Sequence, residues 1–158
     1  MNNFPEFDNE SMGGCESFRF IPCKHTQSEA IPTDSVVTSL PVPKAGKAIL
    51  DGLAVMRTLS FVENEDTVNA GDFYKTVIKG FVPKLDSAYL ALFNEMRRYR
   101  HIVICKDNNG VERVCGTIAH GMIFSFNQDT KDAPAGANGF SFQFSEQFTE
   151  PSPMLVLS

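Results

Sequence analysis

The residues best suited to chemistry in this chain are three histidines and four cysteines: His25, His101, His120, Cys15, Cys23, Cys105 and Cys115. Cys23 lies close to His25, and His101 lies four residues before Cys105, a spacing that puts both side chains on one face of a strand. A zinc site is therefore conceivable, but it lacks a C-x-x-C pair. A cysteine nucleophile lacks a helix N-terminus or an oxyanion loop. We expect free thiols, isolated histidines, no metal and no catalytic residue.

A second candidate is the acidic run Glu63, Glu65, Asp66 and Asp72. Paired carboxylates of this kind occur in glycosidases and in calcium loops. The order of oxygen ligands and glycine in a calcium-binding loop is not met, so we interpret the run as a solvated turn that ends a strand. The segment PKAGKA at 43–48 lacks the full pattern of a phosphate-binding loop. Neither segment predicts a cofactor.

One amphipathic helix is the clearest element that could position side chains. Apolar residues recur at spacings of three and four at Leu85, Ala88, Tyr89, Leu92, Phe93 and Met96. Asp86 or Ser87 is placed to cap the N-terminus, and arginines up to Arg100 put positive charge at the C-terminus. The pattern predicts a helix over about residues 85–100 with one stripe packed on a sheet.

The rest of the chain predicts a mainly β fold. The composition of 14 Phe, no Trp, 11 Gly and 9 Pro favours many short strands and turns. The loop at 108–110 predicts a hairpin that pairs Lys106 with Glu112 and Ile104 with Val114. In that register Cys105 and Cys115 are diagonal neighbours on one face, so we expect both to be buried thiols.

The C-terminal third contains the most amphipathic strand. Phe140, Phe142 and Phe144 alternate strictly with small polar residues, and the three rings could face the core or another subunit, of which we expect the core. The polar loop at 127–139 exceeds the usual hairpin length, which is typical of a functional loop. The apolar residues 154–157 must be covered, and a final edge strand would do this.

Length and charge set the broad class. A chain of 158 residues suits a single β-rich domain over 15–158 preceded by an N-terminal arm over 1–14. The net charge of −5 argues against binding nucleic acid by neutralising phosphates. No signal peptide and no apolar run of membrane length are visible, so we expect a protein made in the cytoplasm.

Three segments together resemble the tail-tube proteins of tailed bacteriophages and the related tubes of contractile injection systems. They are GDFYKTVIKGFVP at 71–83, HIVICKDNNGVERVCG at 101–116 and GANGFSFQFS at 136–145. The resemblance lies in the order of elements over about residues 15–157, not in a catalytic fingerprint. It implies a β-sandwich or barrel without an active site, which forms hexameric rings whose strands join into one inner barrel.

The resemblance also implies partners and a location. The rings would stack into a tube in the virion tail, touch other tail proteins and let DNA pass without specific binding, and an acidic lumen would suit that passage. An ordered arm, a long loop and an apolar C-terminus would be covered by neighbouring subunits. The predicted inter-subunit contacts are Phe4, Phe7, Asp129, Lys131, Asp132, Gly136, Asn138, Leu155 and Leu157.

Two alternatives remain open from sequence. A tail terminator, a connector or a baseplate hub component would form a single ring against unlike partners. A small enzyme or ligand-binding β-barrel would instead gather Cys23, His25, His101 or Cys105 in one deep pocket.

Overall fold

A computed structural model of the chain describes residues 13–54, 57–83, 85–130, 132 and 138–157. These residues contain one α-helix and one short 3-10 helix, Cys23–His25, among twelve strands. The elements are Cys15–Pro22 (β1), Thr26–Ser28 (β2), Val36–Val37 (β3), Val42–Pro43 (β4), Leu50–Asp51 (β5), Ser60–Val68 (β6), Gly71–Pro83 (β7), Ser87–Met96 (α1), Arg100–Asp107 (β8), Glu112–Cys115 (β9), Met122–Asp129 (β10), Gly139–Phe148 (β11) and Met154–Leu155 (β12). The predicted fold class, mainly β with a single helix, is confirmed.

Ten of the described strands join in one sheet, in the order β3-β12-β9-β8-β10-β11-β7-β6, with β1 paired to β8 and β5. The short strands β2 and β4 form a separate pair. Although β1 and β11 are not neighbours in the sheet, the rings of Phe18 and Phe142 lie 5.5 Å apart. The sheet therefore curls back over itself and encloses a core, as in a β-sandwich.

The core is filled by the alternating phenylalanines that the sequence predicted. Phe140, Phe142 and Phe144 are at most 4% exposed. The ring of Phe93 on α1 has its centroid within 6.0 Å of four rings of the sheet, Phe124, Phe126, Phe140 and Phe142. Aromatic contacts of this kind add to the free energy gained by burying the ring area. The helix thus lies on the phenylalanine face of the sheet, as expected.

The helix is shorter than predicted. The Asp86 carboxylate accepts a hydrogen bond from Ala88 N at 2.9 Å, which confirms the cap. The helix ends at Met96, because Arg98 N and Tyr99 N bond to carbonyls only three residues back and Arg100 already begins β8. The prediction that the helix extends to residue 100 was therefore wrong.

The acidic run also differs from the prediction. Residues 63–66 lie inside β6, which pairs with β7 along its whole length, from Ser60 opposite Lys79 to Val68 opposite Gly71. The turn is only the two residues 69–70. Charged side chains are tolerated in this strand because residues 64–68 are exposed. Residues 60–83 thus form one long hairpin.

The predicted hairpin at 108–110 is confirmed in place and register. Lys106 lies opposite Glu112, and Ile104 lies opposite Val114. Gly110 has a φ of +83°, which glycine adopts without the steric cost that other residues pay. Cys105 and Cys115 are both buried and free, as expected.

The C-terminal segment folds onto its own chain. β12 is not an edge strand, because it lies between β3, which is parallel to it, and β9, which is antiparallel. The Glu63 carboxylate fixes the approach to β12: its Oε2 accepts hydrogen bonds from Ser152 Oγ at 2.7 Å and from Thr76 Oγ1 at 2.6 Å. Glu63 therefore stabilises the fold and is not part of a solvated turn.

Candidate assembly surface

Four long antiparallel strands, β10-β11-β7-β6, form the part of the sheet that we call the open sheet. At one side, β6 pairs with β7 only. Just before β6, Cys15 N donates a hydrogen bond to Leu59 O. Residues 62–68 pair with no other strand among those described. At the other side, β10 pairs with β8 only at Met122 and Ile123. Residues 124–128 therefore pair with no described strand on that side. Within the part of the chain that the structure describes, the open sheet has two unpaired edges.

The direction of the backbone groups at these edges follows from antiparallel geometry. Bonded and non-bonded residue pairs alternate along each ladder, and the two-residue turn makes Val68 and Gly71 a bonded pair. The N–H groups of Glu65 and Thr67 therefore point away from β7. The same alternation of bonded and non-bonded pairs applies to the β7–β11 and β11–β10 ladders. It follows that the N–H of Gln128 in β10 points away from β11. Both edges thus present the donors and acceptors that a further strand requires.

The face of the open sheet opposite the phenylalanines of β11 is mainly polar, and we call it the outer face. Ser125 lies there opposite Gln143 and Asn127 opposite Ser141, and the apolar side chains of Phe81 and Ile123 share the face. Its centre is a shallow pocket of about 250 Å³ that these residues line together with Lys79. The face is exposed in the single chain, while the opposite face is closed by α1 and β1.

Five of the nine predicted contact residues lie within the described residues. Phe4, Phe7, Lys131 and Gly136 lie outside the described residues. Asp129 ends β10 opposite Gly139, so the two strands extend into the loop that we predicted over 127–139. Asp132 and Asn138 are exposed in or beside that loop.

The two C-terminal leucines behave differently from each other. Leu155 is 7% exposed and packs in a second core cluster with Ile21, Val37, Ile102, Ile104 and Val114. Its own chain supplies the cover that we expected from another subunit, so the apolar side chain needs no neighbour. Leu157 is 61% exposed and stays available for a contact.

The cysteines and histidines of the zinc and enzyme alternatives are spread over the fold. Cys23 Sγ donates to Thr117 O at 3.3 Å, and His101 Nε2 hydrogen-bonds to Met96 O at 2.8 Å in the core. Cys105 lies at the other end of β8, about 13 Å from His101 at the usual rise of a strand. In the part of the chain that the structure describes, no three His, Cys, Asp or Glu side chains are arranged to hold a metal ion.

The thiols show a pairing that sequence reasoning missed. Cys105 Sγ donates to Cys15 Sγ at 3.3 Å, although 90 residues separate them in the chain. This hydrogen bond from Cys105 lowers the pKa of Cys15 to about 7, while the same contact and burial raise the pKa of Cys105. Burial also raises the pKa of Cys115 to about 12.

The surface beside the start of β8 is positively charged, and we call it the basic pocket. It is an open pocket of about 410 Å³, and its lining includes Lys24, Lys44, Arg98, Tyr99 and Arg100. The Lys24 ammonium lies 3.9 Å from the centre of the Tyr99 ring, a cation–π contact. Among the described residues, no carboxylate lies within ion-pair distance of Lys24, Lys44 or Arg98, whereas Arg100 is paired with Glu146.

The end of the long hairpin carries the opposite charge, and we call it the acidic tip. Glu65, Asp66 and Asp72 are all exposed there, and Thr67 Oγ1 donates to Asp72 at 2.9 Å. The carboxylates of Glu65, Asp72 and Glu63, together with some burial, raise the pKa of Tyr74. The hairpin end is therefore a region of negative potential.

Comparisons with protein families, with curated proteins and with solved structures found no match to this chain. Within the described residues, no helix is long and apolar enough to cross a membrane.

Proposed function

We propose that this chain is a structural subunit that assembles into rings by joining β6 of one copy to β10 of the next, most simply as the tube subunit of a phage-type tail. The observation that carries the proposal is the pair of unpaired edges on the open sheet. An edge strand is a template for another strand. Two different edges on one subunit give a head-to-tail contact, which generates a ring when the rotation closes.

Strand direction supports this contact. The open sheet contains four strands, each antiparallel to the next, so β6 and β10 run in opposite directions. A copy added at the β6 edge therefore continues the antiparallel alternation without a break. The unpaired stretch of β6 lies towards the turn at 69–70, whereas that of β10 lies towards Gly139. Joining them staggers successive subunits, and closed barrels require such a stagger.

The outer face would then line the inside of the ring, because α1 and β1 occupy the other face. Its centre is lined by Ser125, Asn127, Ser141, Gln143 and Lys79, together with Thr58 and Phe81. This lining would be mostly uncharged, rather than the acidic lumen that the resemblance led us to consider. Hydroxyl and amide groups attract phosphates weakly compared with clustered arginines, which suits passage of DNA without specific binding.

Proline substitutions at the two edges test the proposal. Glu65→Pro and Gln128→Pro each remove an N–H that points away from the strand's own partner, so the fold should survive while the joint is lost. We expect wild-type protein to form rings in electron micrographs and fast-sedimenting species, and each proline variant to remain monomeric. Gln128→Ala keeps the N–H and should assemble like wild type. Glu65→Ala also keeps the N–H and should still form rings, unlike Glu65→Pro.

The same images separate the roles within a tail. Stacked rings would indicate a tube subunit, and single rings would indicate a terminator, connector or baseplate module. Wild-type protein that stays monomeric at high concentration would refute ring assembly. Proline variants that assemble normally, with circular dichroism spectra and urea midpoints like those of wild type, would refute the β6–β10 joint.

A further inference from the structure

The basic pocket and the acidic tip are two oppositely charged surfaces of the same chain. Lys24, Lys44 and Arg98 face the pocket without a carboxylate partner among the described residues. Glu65, Asp66 and Asp72 project from the hairpin end. In a chain of net charge −5, such a concentration of cations calls for an acidic partner, because like charges brought together raise the free energy.

The electrostatic environment of two titratable groups has the expected sign at each surface. His25 adjoins the pocket, and burial, followed by the charges of Lys47, Lys24 and Lys44, lowers its pKa, while the carboxylate of Glu95 acts in the opposite direction. Tyr74 adjoins the acidic tip, where Glu65 is the largest cause of its raised pKa. The two surfaces therefore differ in potential as well as in formal charge.

The location of the pocket relative to β10 identifies the partner. A strand that pairs antiparallel to β10 runs from residue 128 towards residue 124, so a copy's β6 laid there would carry its hairpin end towards Ile123. At Ile123 the neighbouring position is already taken by Arg100 of β8. Arg98 and Tyr99, which line the pocket, directly precede Arg100. The hairpin of an added copy would therefore end beside the basic pocket.

We propose that the basic pocket receives the acidic tip of the β6–β7 hairpin of a second copy of this chain, and that this charge pairing sets the register of the joint between subunits. The inference rests on the self-association proposed above and adds a specific contact to it. Backbone pairing alone tolerates slippage, since every second residue offers the same groups. A cationic site at the end of the joint penalises every register except the one that brings the carboxylates to it.

A charge-swap experiment on the full chain tests the contact. The pocket variant is Lys44→Glu with Arg98→Glu, and the hairpin variant is Glu65→Lys with Asp66→Lys. In each variant alone the pocket and the tip have the same sign, so we expect self-association, followed by sedimentation velocity, to weaken at least about tenfold. In the mixture, the positive tip of the hairpin variant fits the negative pocket of the other, so association should return.

Control variants and salt sharpen the result. Lys79→Glu and Asp51→Lys change exposed charges outside both surfaces, and each should associate like wild type. The wild-type contact should weaken as salt rises from about 0.1 M to about 1 M, because the Debye length falls from about 10 Å to about 3 Å. Circular dichroism and urea midpoints of all variants should match wild type, since the changed side chains are exposed.

Three outcomes would overturn the inference. The first is a pocket variant that associates as strongly as Lys79→Glu, and the second is a mixture that does not regain association. The third is wild-type protein that binds duplex DNA through Lys44 and Arg98 while the mixture stays dissociated, which would assign the pocket to nucleic acid.

If Glu65→Pro abolishes rings but the charge variants do not, the pocket contact fails and the ring assembly stands. If the mixture associates while the proline variants still form rings, the pocket contact stands without the β6–β10 joint.

Discussion

The two faces of the open sheet are made from alternate residues of the same strands, yet they have opposite character. On β11, Phe140, Phe142 and Phe144 are buried, whereas Ser141 and Gln143 between them are exposed. One face is covered by α1 and β1, and the other is covered by nothing within the described residues. Stability and surface chemistry are thus divided between the faces.

The difference between the buried face and the outer face explains how this fold could serve as an assembly unit. A core packed from one face fixes which side of each strand is buried, because a slip of one residue would exchange phenylalanines for serines. The strand edges are then free to bond outward without weakening the core. The comparison predicts that substitutions on the buried face change stability, while those at the two strand edges change association.

The largest expected effect is on the buried face. Phe144→Ala removes a ring that is fully buried, and we expect a loss of about 3–5 kcal/mol in the free energy of unfolding from lost burial and the cavity left behind. Gln143→Ala, its neighbour on the outer face, should change stability by less than about 0.5 kcal/mol. Urea unfolding followed by circular dichroism measures both. Similar losses in the two variants would contradict the division between the faces.

The buried face was also the part that sequence predicted best. Strict alternation revealed the phenylalanine strand, and the turn at 108–110 fixed a register that charge pairing of Lys106 with Glu112 made unique. These are local signals, read within about ten residues. The stripe of the helix was likewise visible, although Leu92, expected in it, is 42% exposed.

What sequence could not supply depends on contacts between distant segments. The helix ends early because Arg100 is recruited by β10, twenty-three positions further along at Ile123. Glu63 looked like a turn residue because its partner Ser152 lies 89 residues away. A sequence signal for the long hairpin was present, since Val62 and Val68 flank the acidic run. The charged residues between them led us to interpret the run as a turn instead of a strand. The unpaired edges follow only from the strand order.

An intermediate effect is expected where the two regions meet, at Glu63. Its carboxylate accepts hydrogen bonds from Thr76 and Ser152. Glu63→Ala removes this acceptor, and we expect the free energy of unfolding to fall by about 2 kcal/mol. Glu65, two residues along the same face but exposed, serves as the matched control, and Glu65→Ala should cost less than about 0.5 kcal/mol. Urea unfolding measures the loss in the free energy of unfolding for each variant.

Hydrogen exchange locates the loss. In Glu63→Ala the amide of Ser152 should exchange faster than in wild type, because its N–H donates to the carboxylate at 3.1 Å. If Glu63→Ala proved as stable as Glu65→Ala, Glu63 would belong with the exposed acidic residues rather than with the core.

The smallest effect is a dependence of stability on pH that comes from the buried face. His101 is 1% exposed, with its ring among those of Phe20, Phe124 and Phe144, and burial lowers its pKa below the ordinary 6.5. Its Nδ1 has no hydrogen-bond partner. The folded state therefore keeps His101 neutral while the unfolded state takes up a proton. Stability should be full above about pH 6.5 and should fall as the pH decreases below that value, by at most about 1.4 kcal/mol per pH unit for one proton.

Urea midpoints measured between about pH 7.5 and about pH 5.5 test this, because the carboxyl groups of Asp107 and Glu146 have lowered pKa values and protonate only at more acid pH. His101→Gln should lower stability at every pH and reduce the slope, with a smaller slope left from His25, whose pKa is also lowered. Gln143→Ala, on the outer face, changes no titratable group and should keep the wild-type slope. A slope unchanged by His101→Gln would mean that the buried face does not sense pH in this range, and that the acid sensitivity arises from exposed groups instead.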